Sequence, residues 1–510
     1  MISTSGTAAP AGRELVLALD QGTTNTKALL VEAATGRIVA SGSRPVGITF
    51  PAPGWVEQDA AQLWDATLGA VADCLAAAGE AQPMAVAVSN QRESVVAWSR
   101  STGRPLGPVL GWQDARTADV CAELVRSGAG DEVARRTGLS LDAMFSAPKM
   151  AWLLESATRN GADPAEVCLG TVDSWLLWNL TGEHSAEAGN ASRTLLLDLT
   201  TVDWHDSLLD LFGVPAAALG QVRRSDARFG TTRAVGALPG GLPVAAVLAD
   251  SHAALYHHGC TTPGTGKATY GTGSSVMTPC DGPDRAPQGI ATTLAWLTDR
   301  PTFAREGNIV ASGSALDWMA ATLGAPAGVS GGAFLSELAA DVPDSDGVCL
   351  VPAFSGLGAP YWDRRATGVL TGITGRTARA HLARAALEAV AHQVADVVEA
   401  IEADGRARIE VLHADGGATA SSLLMQIQAD LLGRAVRVAD APEASALGAA
   451  LLAARALGLA EAPSATGAPV HPTAPDDDRQ ARRAGWATAV ARARGLPVPA
   501  SSIPEPAPAG

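Results

Sequence analysis

Residues Leu15–Lys27 read LVLALDQGTTNTK. The apolar run from Leu15 to Leu19 has the length and bounds of a buried strand, and it stops at Asp20. A Gly22-Thr23-Thr24 turn follows, and Ala28 to Val31 returns as a hairpin partner. Such a turn sets backbone N–H groups and hydroxyls beside a carboxylate, the donor set required by a phosphate chain carrying Mg²⁺. Many β-hairpins carry Gly-Thr, so the turn alone leaves a plain hairpin equally open. The pattern recurs, however, in Lys267–Thr278, KATYGTGSSVMT, where Gly-Thr again sits between two short strand-like runs. Two halves that each open on this hairpin predict a duplicated α/β domain, with a cleft between the copies and nucleotide phosphates between the hairpins.

Composition narrows the class. At 510 residues the chain exceeds one core, so two or three domains are expected. Hydrophobic residues make up 47% and charged residues 17%, which fits a globular protein. The net charge of −15 argues against nucleic acid or an anionic membrane surface as a partner. No run is long and apolar enough to span a bilayer, and the nearest, Ala446–Ala454, ends at Arg455. Six widely spaced cysteines without a CxxC pair predict reduced thiols and a cytoplasmic location. The first twelve residues lack a basic start and an apolar centre, and so read as a loose tail and not a signal peptide. A homo-oligomer is left open.

Along the chain, Asp59 is placed to cap a helix with Gln62 at the capping-box position and Gly79 as its stop. Met84–Ser89 reads as a strand that delivers Asn90-Gln91-Arg92-Glu93. Adjacent Arg92 and Glu93 offer a donor and an acceptor suited to hydroxyl groups; the alternative is a surface ion pair. Pro108–Gln113 is expected as a strand, Ala115–Arg136 as a helix, and Thr171–Leu180 as core packing around Trp175 and Trp178. Leu242–Ala249 is a near-continuous apolar strand that delivers Asp250, a carboxylate at the strand end where open α/β sheets put their chemistry.

The second half starts near Gly259. After its hairpin it predicts a helix over Ala315–Thr322, a strand over Val348–Phe354 and a long helix over His381–Ala403. A strand over Ile409–Leu412 leads into Asp415-Gly416-Gly417-Ala418 and a helix over Ser422–Leu432. Glycines before a helix N-terminus let backbone approach a nucleotide closely. A helix over Ala444–Leu457, a linker over Ala462–Pro475 and a last helix over Asp478–Arg494 complete the chain. Two patterns are set aside. Ser146-Ala147-Pro148-Lys149 spells S-x-x-K without the companion motifs of acyl-serine enzymes. His257-His258 with Cys260 reads as a helix end near a domain joint and not as a metal site.

The text Asp20-Gln21-Gly22-Thr23-Thr24, Pro53-Gly54-Trp55-Val56-Glu57, Asn90-Gln91-Arg92-Glu93, Gly170-Thr171-Val172-Asp173, Asn190-Ala191-Ser192-Arg193-Thr194, Tyr270-Gly271-Thr272-Gly273 and Gly356-Leu357-Gly358-Ala359-Pro360-Tyr361-Trp362 resembles the FGGY family of carbohydrate kinases. Within it the chain is most similar to the glycerol-phosphorylating branch. The resemblance implies a pair of ribonuclease-H-like, actin-type domains. Residues 13–255 would bind the polyol or sugar and 256–495 the nucleotide, with disordered tails at 1–12 and 496–510. It implies ATP-dependent phosphorylation of a small polyol with ATP and Mg²⁺ as cofactors. By resemblance Asp250 is the general base, and Asp20 and Asp250 hold the metal. Thr23, Thr24, Asn25 and Lys27 match the first phosphate turn, while Thr272, Gly313, Asp317, Gly417 and Ser421 match nucleotide positions. Arg92, Glu93, Trp112, Met144, Asp250, Ser251 and Ser275 match the acceptor pocket.

The chain departs from the family pattern where Met144 replaces a Tyr, Ser251 a Gln, Ser275 a Phe, Lys27 an Arg and Ser421 an Asn. These exchanges leave a roomier pocket with new hydroxyls. Glycerol is the first acceptor expected, and a tetritol, pentitol or ketose the second. A non-catalytic nucleotide sensor is a third reading, opposed by the retained Asp20, Asp250, Arg92 and Glu93.

Overall fold

The computed structural model describes residues 13–440, 443–460 and 467–497. The tail expected at 1–12, nearly all of that at 496–510 and the start of the linker at 462–475 lie outside the described residues.

Five strands build the first sheet: β1 (Leu15–Gln21), β2 (Asn25–Glu32), β3 (Ile38–Pro45), β4 (Ala85–Asn90) and β5 (Val244–Ala249). Their order is β5-β4-β1-β2-β3. The pairs β1–β2 and β2–β3 are antiparallel, and β1–β4 and β4–β5 are parallel. The second half repeats this with β6 (Thr265–Tyr270), β7 (Ser274–Cys280), β8 (Pro301–Ile309), β9 (Val411–Asp415) and β10 (Val436–Val438). Their order is β8-β7-β6-β9-β10, again antiparallel across the hairpin and parallel beyond it. Ala291–Leu297 and Pro469–Val470 extend this sheet to seven strands at its two edges. The duplication predicted from the two hairpins therefore holds strand for strand.

Helices cover the sheets in matching places. α1 (Ala60–Ala78) has the Asp59 cap and Gly79 stop its sequence predicts: Asp59 accepts hydrogen bonds from the Ala61 and Gln62 N–H groups, and Gly79 ends the helix at φ +64°, while the Gln62 side chain does not close the capping box. α2 (Asp250–His257) follows β5, and α3 (Gly313–Thr322) and α4 (Arg379–Glu402) lie between β8 and β9. α5 (Ser422–Leu432) follows β9, and α6 (Ala444–Ala456) follows β10.

α6 belongs to the second half by sequence order but buries Ala446, Ala449, Leu452 and Ala453 in one core with Val16, Ala18, Ala85 and Leu248 of the first sheet. Its Gly448 lies so close to α2 that an added Cβ would stand 1.9 Å from the Ala253 carbonyl oxygen. A run of small side chains thus lets the two equivalent helices touch backbone to backbone at the joint between the halves.

Several expectations need correction. The helix expected over Ala115–Arg136 is two, Ala118–Arg126 and Gly130–Thr137. Gly128 adopts φ +90° and donates to the Val125 carbonyl while Ala129 donates to Leu124, a Schellman stop that side-chain periodicity does not reveal. The strand expected over Val348–Phe354 is confined to Cys349–Val351, because Pro352 brings no N–H to the ladder. Only Val109–Leu110 of Pro108–Gln113 pairs as a strand, with the Gly111 N–H turned to the Val56 carbonyl. Within the expected linker, Pro469–Val470 pairs with Val436 and Arg437. All six thiols are unpaired. No helix among the described residues is long and apolar enough to cross a membrane.

Candidate active site

β4 and β5 are parallel neighbours, and their last residues, Asn90 and Ala249, are register partners. Arg92 and Asp250 therefore leave adjoining strands at the same carboxyl edge, where the cleft opens. Thr23 and Thr24 from one hairpin and Gly271, Thr272 and Gly273 from the other line a single cavity of about 380 Å³ with them. Glu93, Trp112, Met144, Ser251 and Ser275 complete the part of its wall that the sequence predicted. Trp112 Nε1 donates to Thr23 Oγ1 at 3.1 Å, tying the acceptor wall to the first phosphate turn.

Charge is densely interlocked behind this wall. The Arg92 Nε lies 3.4 Å from Asp250 Oδ1, and its Nη2 lies 2.6 Å from Glu306 Oε1, a residue of β8 in the other half. Arg193 shares one of these partners: its Nη1 lies 3.0 Å from Glu306 Oε2, while its Nε donates to Glu93 Oε1 at 2.7 Å. Arg92, Glu93, Arg193 and Glu306, the four side chains of this box, are all buried. Burial alone would raise the Glu306 carboxyl, but flanking Arg193 and Arg92 hold it well below the usual carboxylate range. Glu93 carries the box at a left-handed φ of +61°, which turns its carboxylate inward from the strand end.

The Asp250 side chain is 38% open to the cleft, yet the recess around it makes ionisation costly. Its carboxyl is raised by that desolvation, and the Arg92 guanidinium and the Ser251 N–H, 2.6 Å from Oδ1, partly offset the rise. A base with a raised pKa and an oriented carboxylate suits proton abstraction from an alcohol.

Asp20, next to last in β1, is the register partner of Lys27. Burial foremost, and the charge of Asp250, push its carboxyl up to about 6. Asp20 and Asp250 are the two carboxylates that could hold a divalent cation here. No cluster of three or more His, Cys, Asp or Glu suited to a metal occurs among the described residues.

The other predicted nucleotide residues lie outside the cavity. Lys27 Nζ is 2.7 Å from Glu443 Oε2, just before α6, and Asn25 Nδ2 donates weakly to Thr24 Oγ1 at 3.5 Å. The Gly313 N–H donates to the Gly271 carbonyl at 2.9 Å, and a Cβ there would stand 2.6 Å from that oxygen. Gly416 takes φ +96° against the Tyr270 backbone, and Gly417 beside it has open space where a Cβ would point. Asp317 in α3 packs against Gly331, and Ser421 caps α5 while its Oγ lies 2.6 Å from that of Ser336. His258, just past the end of α2 at the domain joint, has its Nε2 2.7 Å from Asp415 Oδ2, whereas neither ring nitrogen of buried His257 has a hydrogen-bond partner among the described residues.

Sequence reasoning assigned no role to Arg193, Glu306, Lys267 or Asn308. Arg193 sits within the quoted Asn190–Thr194 text. Glu306 and Asn308 alternate along β8 at the two-residue period of a strand face. Lys267 is buried on β6, its Nζ donating to Thr269 Oγ1 at 2.9 Å. Burial lowers its pKa.

Comparison with known proteins places this geometry. The family model described as the FGGY family of carbohydrate kinases, N-terminal domain, matches residues 15–256, and that of the C-terminal domain matches 266–457. A glycerol kinase of Bordetella parapertussis is 41% identical, over 96% of this chain and 99% of its own length. One from Citrifermentans bemidjiense is 44% identical, over 86% of this chain and 90% of its own. Among solved structures, a Plasmodium falciparum glycerol kinase with ADP superposes with TM-score 0.85 at 26% identity, covering 95% of this chain and 99% of that one. A xylulose kinase from Rhodospirillum rubrum gives TM-score 0.81 at 28% identity, covering 93% and 98%.

Proposed function

The chain belongs to the FGGY family of carbohydrate kinases, and from that premise we propose that it transfers the terminal phosphoryl group of ATP to a hydroxyl of a small polyol, converting glycerol to glycerol 3-phosphate. The observation that carries this reading is the cavity itself. Asp250, Arg92 and Glu93 share it with both Gly-Thr turns, so a phosphate chain and an alcohol would meet there.

Arg92 and Glu93 would hydrogen-bond two acceptor hydroxyls and leave the third at Asp250. As the new O–P bond forms and the bond from the terminal phosphorus to the leaving ADP oxygen breaks, that hydroxyl's proton passes to a carboxylate oxygen of Asp250, which Arg92 and the Ser251 N–H hold in orientation. The transition state of phosphoryl transfer is loose, so positioning and charge stabilisation do most of the catalytic work. Thr23, Thr24 and Thr272 would cradle the phosphates, with Gly313, Gly417, Asp317 and Ser421 further along the nucleotide. Mg²⁺ held by Asp20 and Asp250 would neutralise charge on the transferred group. Closure of the halves about the α2–α6 contact would exclude water, the competing acceptor. The unpaired thiols fit work in the cytoplasm.

Asp250→Asn tests the assignment. ADP release stimulated by glycerol should fall by at least a thousandfold while ATP binding, measured by calorimetry, survives. Loss of ATP binding, or substantial residual transfer, would show that the base lies elsewhere.

A further inference from the structure

Three polar side chains lie in one row across the second sheet, on the cleft face. Thr269 on β6 is the register partner of Ser275 on β7, and Ser275 is the register partner of Asn308 on β8. Directly opposed residues share a sheet face, and all three line the cavity that holds Asp250. The row is tied to the reaction centre. Ser275 Oγ donates to Glu306 Oε1 at 3.1 Å, the oxygen that also holds Arg92. Lys267 Nζ supports the row from beneath, 2.9 Å from Thr269 Oγ1 and 3.5 Å from Ser275 Oγ. The Asn308 carboxamide, by contrast, makes no hydrogen bond among the described residues, although its backbone carbonyl is bonded to the Ala359 N–H. A half-buried amide aimed into a cavity is a recognition group awaiting an oxygen.

A three-carbon polyol cannot supply that oxygen. With one hydroxyl at Asp250 and the others on Arg92 and Glu93, glycerol has none left for the opposite wall. Arg92, Arg193 and Lys267 are engaged with Glu306, Glu93 or the row itself, so the row offers hydroxyl and amide groups and no free cation. A neutral oxygen suits it better than a carboxylate. We propose that Ser275 and Asn308 are specificity-determining residues that read the far hydroxyls of a linear polyol or ketose of four or five carbons, and that glycerol fills only part of this site. This rests on the kinase reading above and deepens it.

The experiment compares glycerol, erythritol, ribitol and D-xylulose as acceptors, using ADP release by the parent protein, Asn308→Leu and Ser275→Ala. Leu matches the size of Asn without its hydrogen bonds, and melting curves check that each variant folds. The parent should phosphorylate at least one four- or five-carbon acceptor. The ratio of its kcat/KM to that of glycerol should drop about tenfold or more in Asn308→Leu, through KM, and less in Ser275→Ala, as loss of one or two substrate hydrogen bonds requires. If Asn308→Leu does not fold, the Ser275→Ala ratio decides. The proposal is overturned if the parent uses glycerol but no longer acceptor, if both acceptors lose activity by one factor, or if the change falls on KM for ATP. Failure with every acceptor, glycerol included, overturns the kinase reading itself and this proposal with it.

Discussion

Glu306→Gln tests whether the acceptor site is mounted on a shared charge box. The native carboxylate is fully buried, lies 2.6 Å from Arg92 and 3.0 Å from Arg193, and accepts a third contact from Ser275 at 3.1 Å. Glutamine keeps the shape and one acceptor but removes the charge, so two buried guanidinium groups must share Glu93 and Asp250. Removing one partner from a buried ion pair costs about 3–5 kcal/mol, because the remaining charge stays desolvated. At about 2–4 °C per kcal/mol for a unit of this size, the melting point should fall by roughly 6–20 °C. Arg92 also loses its anchor, so KM for the acceptor should rise while KM for ATP moves little. Glu306→Gln combined with Arg193→Gln restores the balance of charge. Its cost should undercut the sum of the single losses by about 0.5–3 kcal/mol, measured by denaturant unfolding. A melting point within about 2 °C of the parent, or strict additivity, would refute the shared box.

Two further outcomes follow from titratable groups. The Asp20 carboxyl, pushed up to about 6, and the raised Asp250 must both be ionised for turnover, so kcat/KM should fall as pH drops through about 6. Added Mg²⁺ should move that acid limb lower, and a flat profile between pH 5 and 7 would exclude the pair, whose carboxyls ordinarily titrate near 3.8. The sign for stability is opposite: between 3.8 and about 6 the folded chain binds this proton more tightly than the unfolded one, so Asp20 costs stability as pH rises across that window. Lys149, buried and lowered to about 8, donates to the carbonyls of Gly111 at 3.1 Å and Met144 at 2.7 Å, beside two cavity-lining residues. Lys149→Met should leave the Met144 carbonyl without this donor and the Gly111 carbonyl with only the Asp114 N–H, and raise KM for the acceptor about tenfold, with KM for ATP within about twofold. Equal rises in both would deny it a positioning role.

What could be read in the sequence was what depends on neighbours in the chain. The Leu15–Leu19 run, the Gly-Thr turns and the Asp59 cap are local patterns, and each appears where local physics puts it. Asp250 was legible because a buried strand ends on it. Arg92 and Glu93 were legible for the same reason. Glu306 was not, since nothing within ten residues marks it, and its partners Arg92 and Arg193 lie far off in the sequence. The break at Gly128 was missed because apolar spacing carries no record of a left-handed φ. Nor does sequence order alone place α6 against the first sheet. Its alanines look like any small-residue helix until Gly448 meets the Ala253 carbonyl.

The duplication explains how one cleft serves two kinds of ligand. Setting Gly22 on Gly271 puts Asp20, two residues before the first turn, in the place of Thr269, two residues before the second. In the first hairpin Asp20 faces Lys27; in the second Thr269 faces Ser275. The same backbone pairing thus carries a charged pair in one copy and two hydroxyls in the other. The charged pair suits a metal and phosphate, where full charges gain most from a recessed site. The hydroxyl pair suits an uncharged acceptor, whose own hydroxyls likewise both donate and accept. Had both copies kept Asp and Lys, the wall facing Arg92 and Glu306 would have been charged as well. A neutral alcohol would then have had to displace ion pairs to bind there.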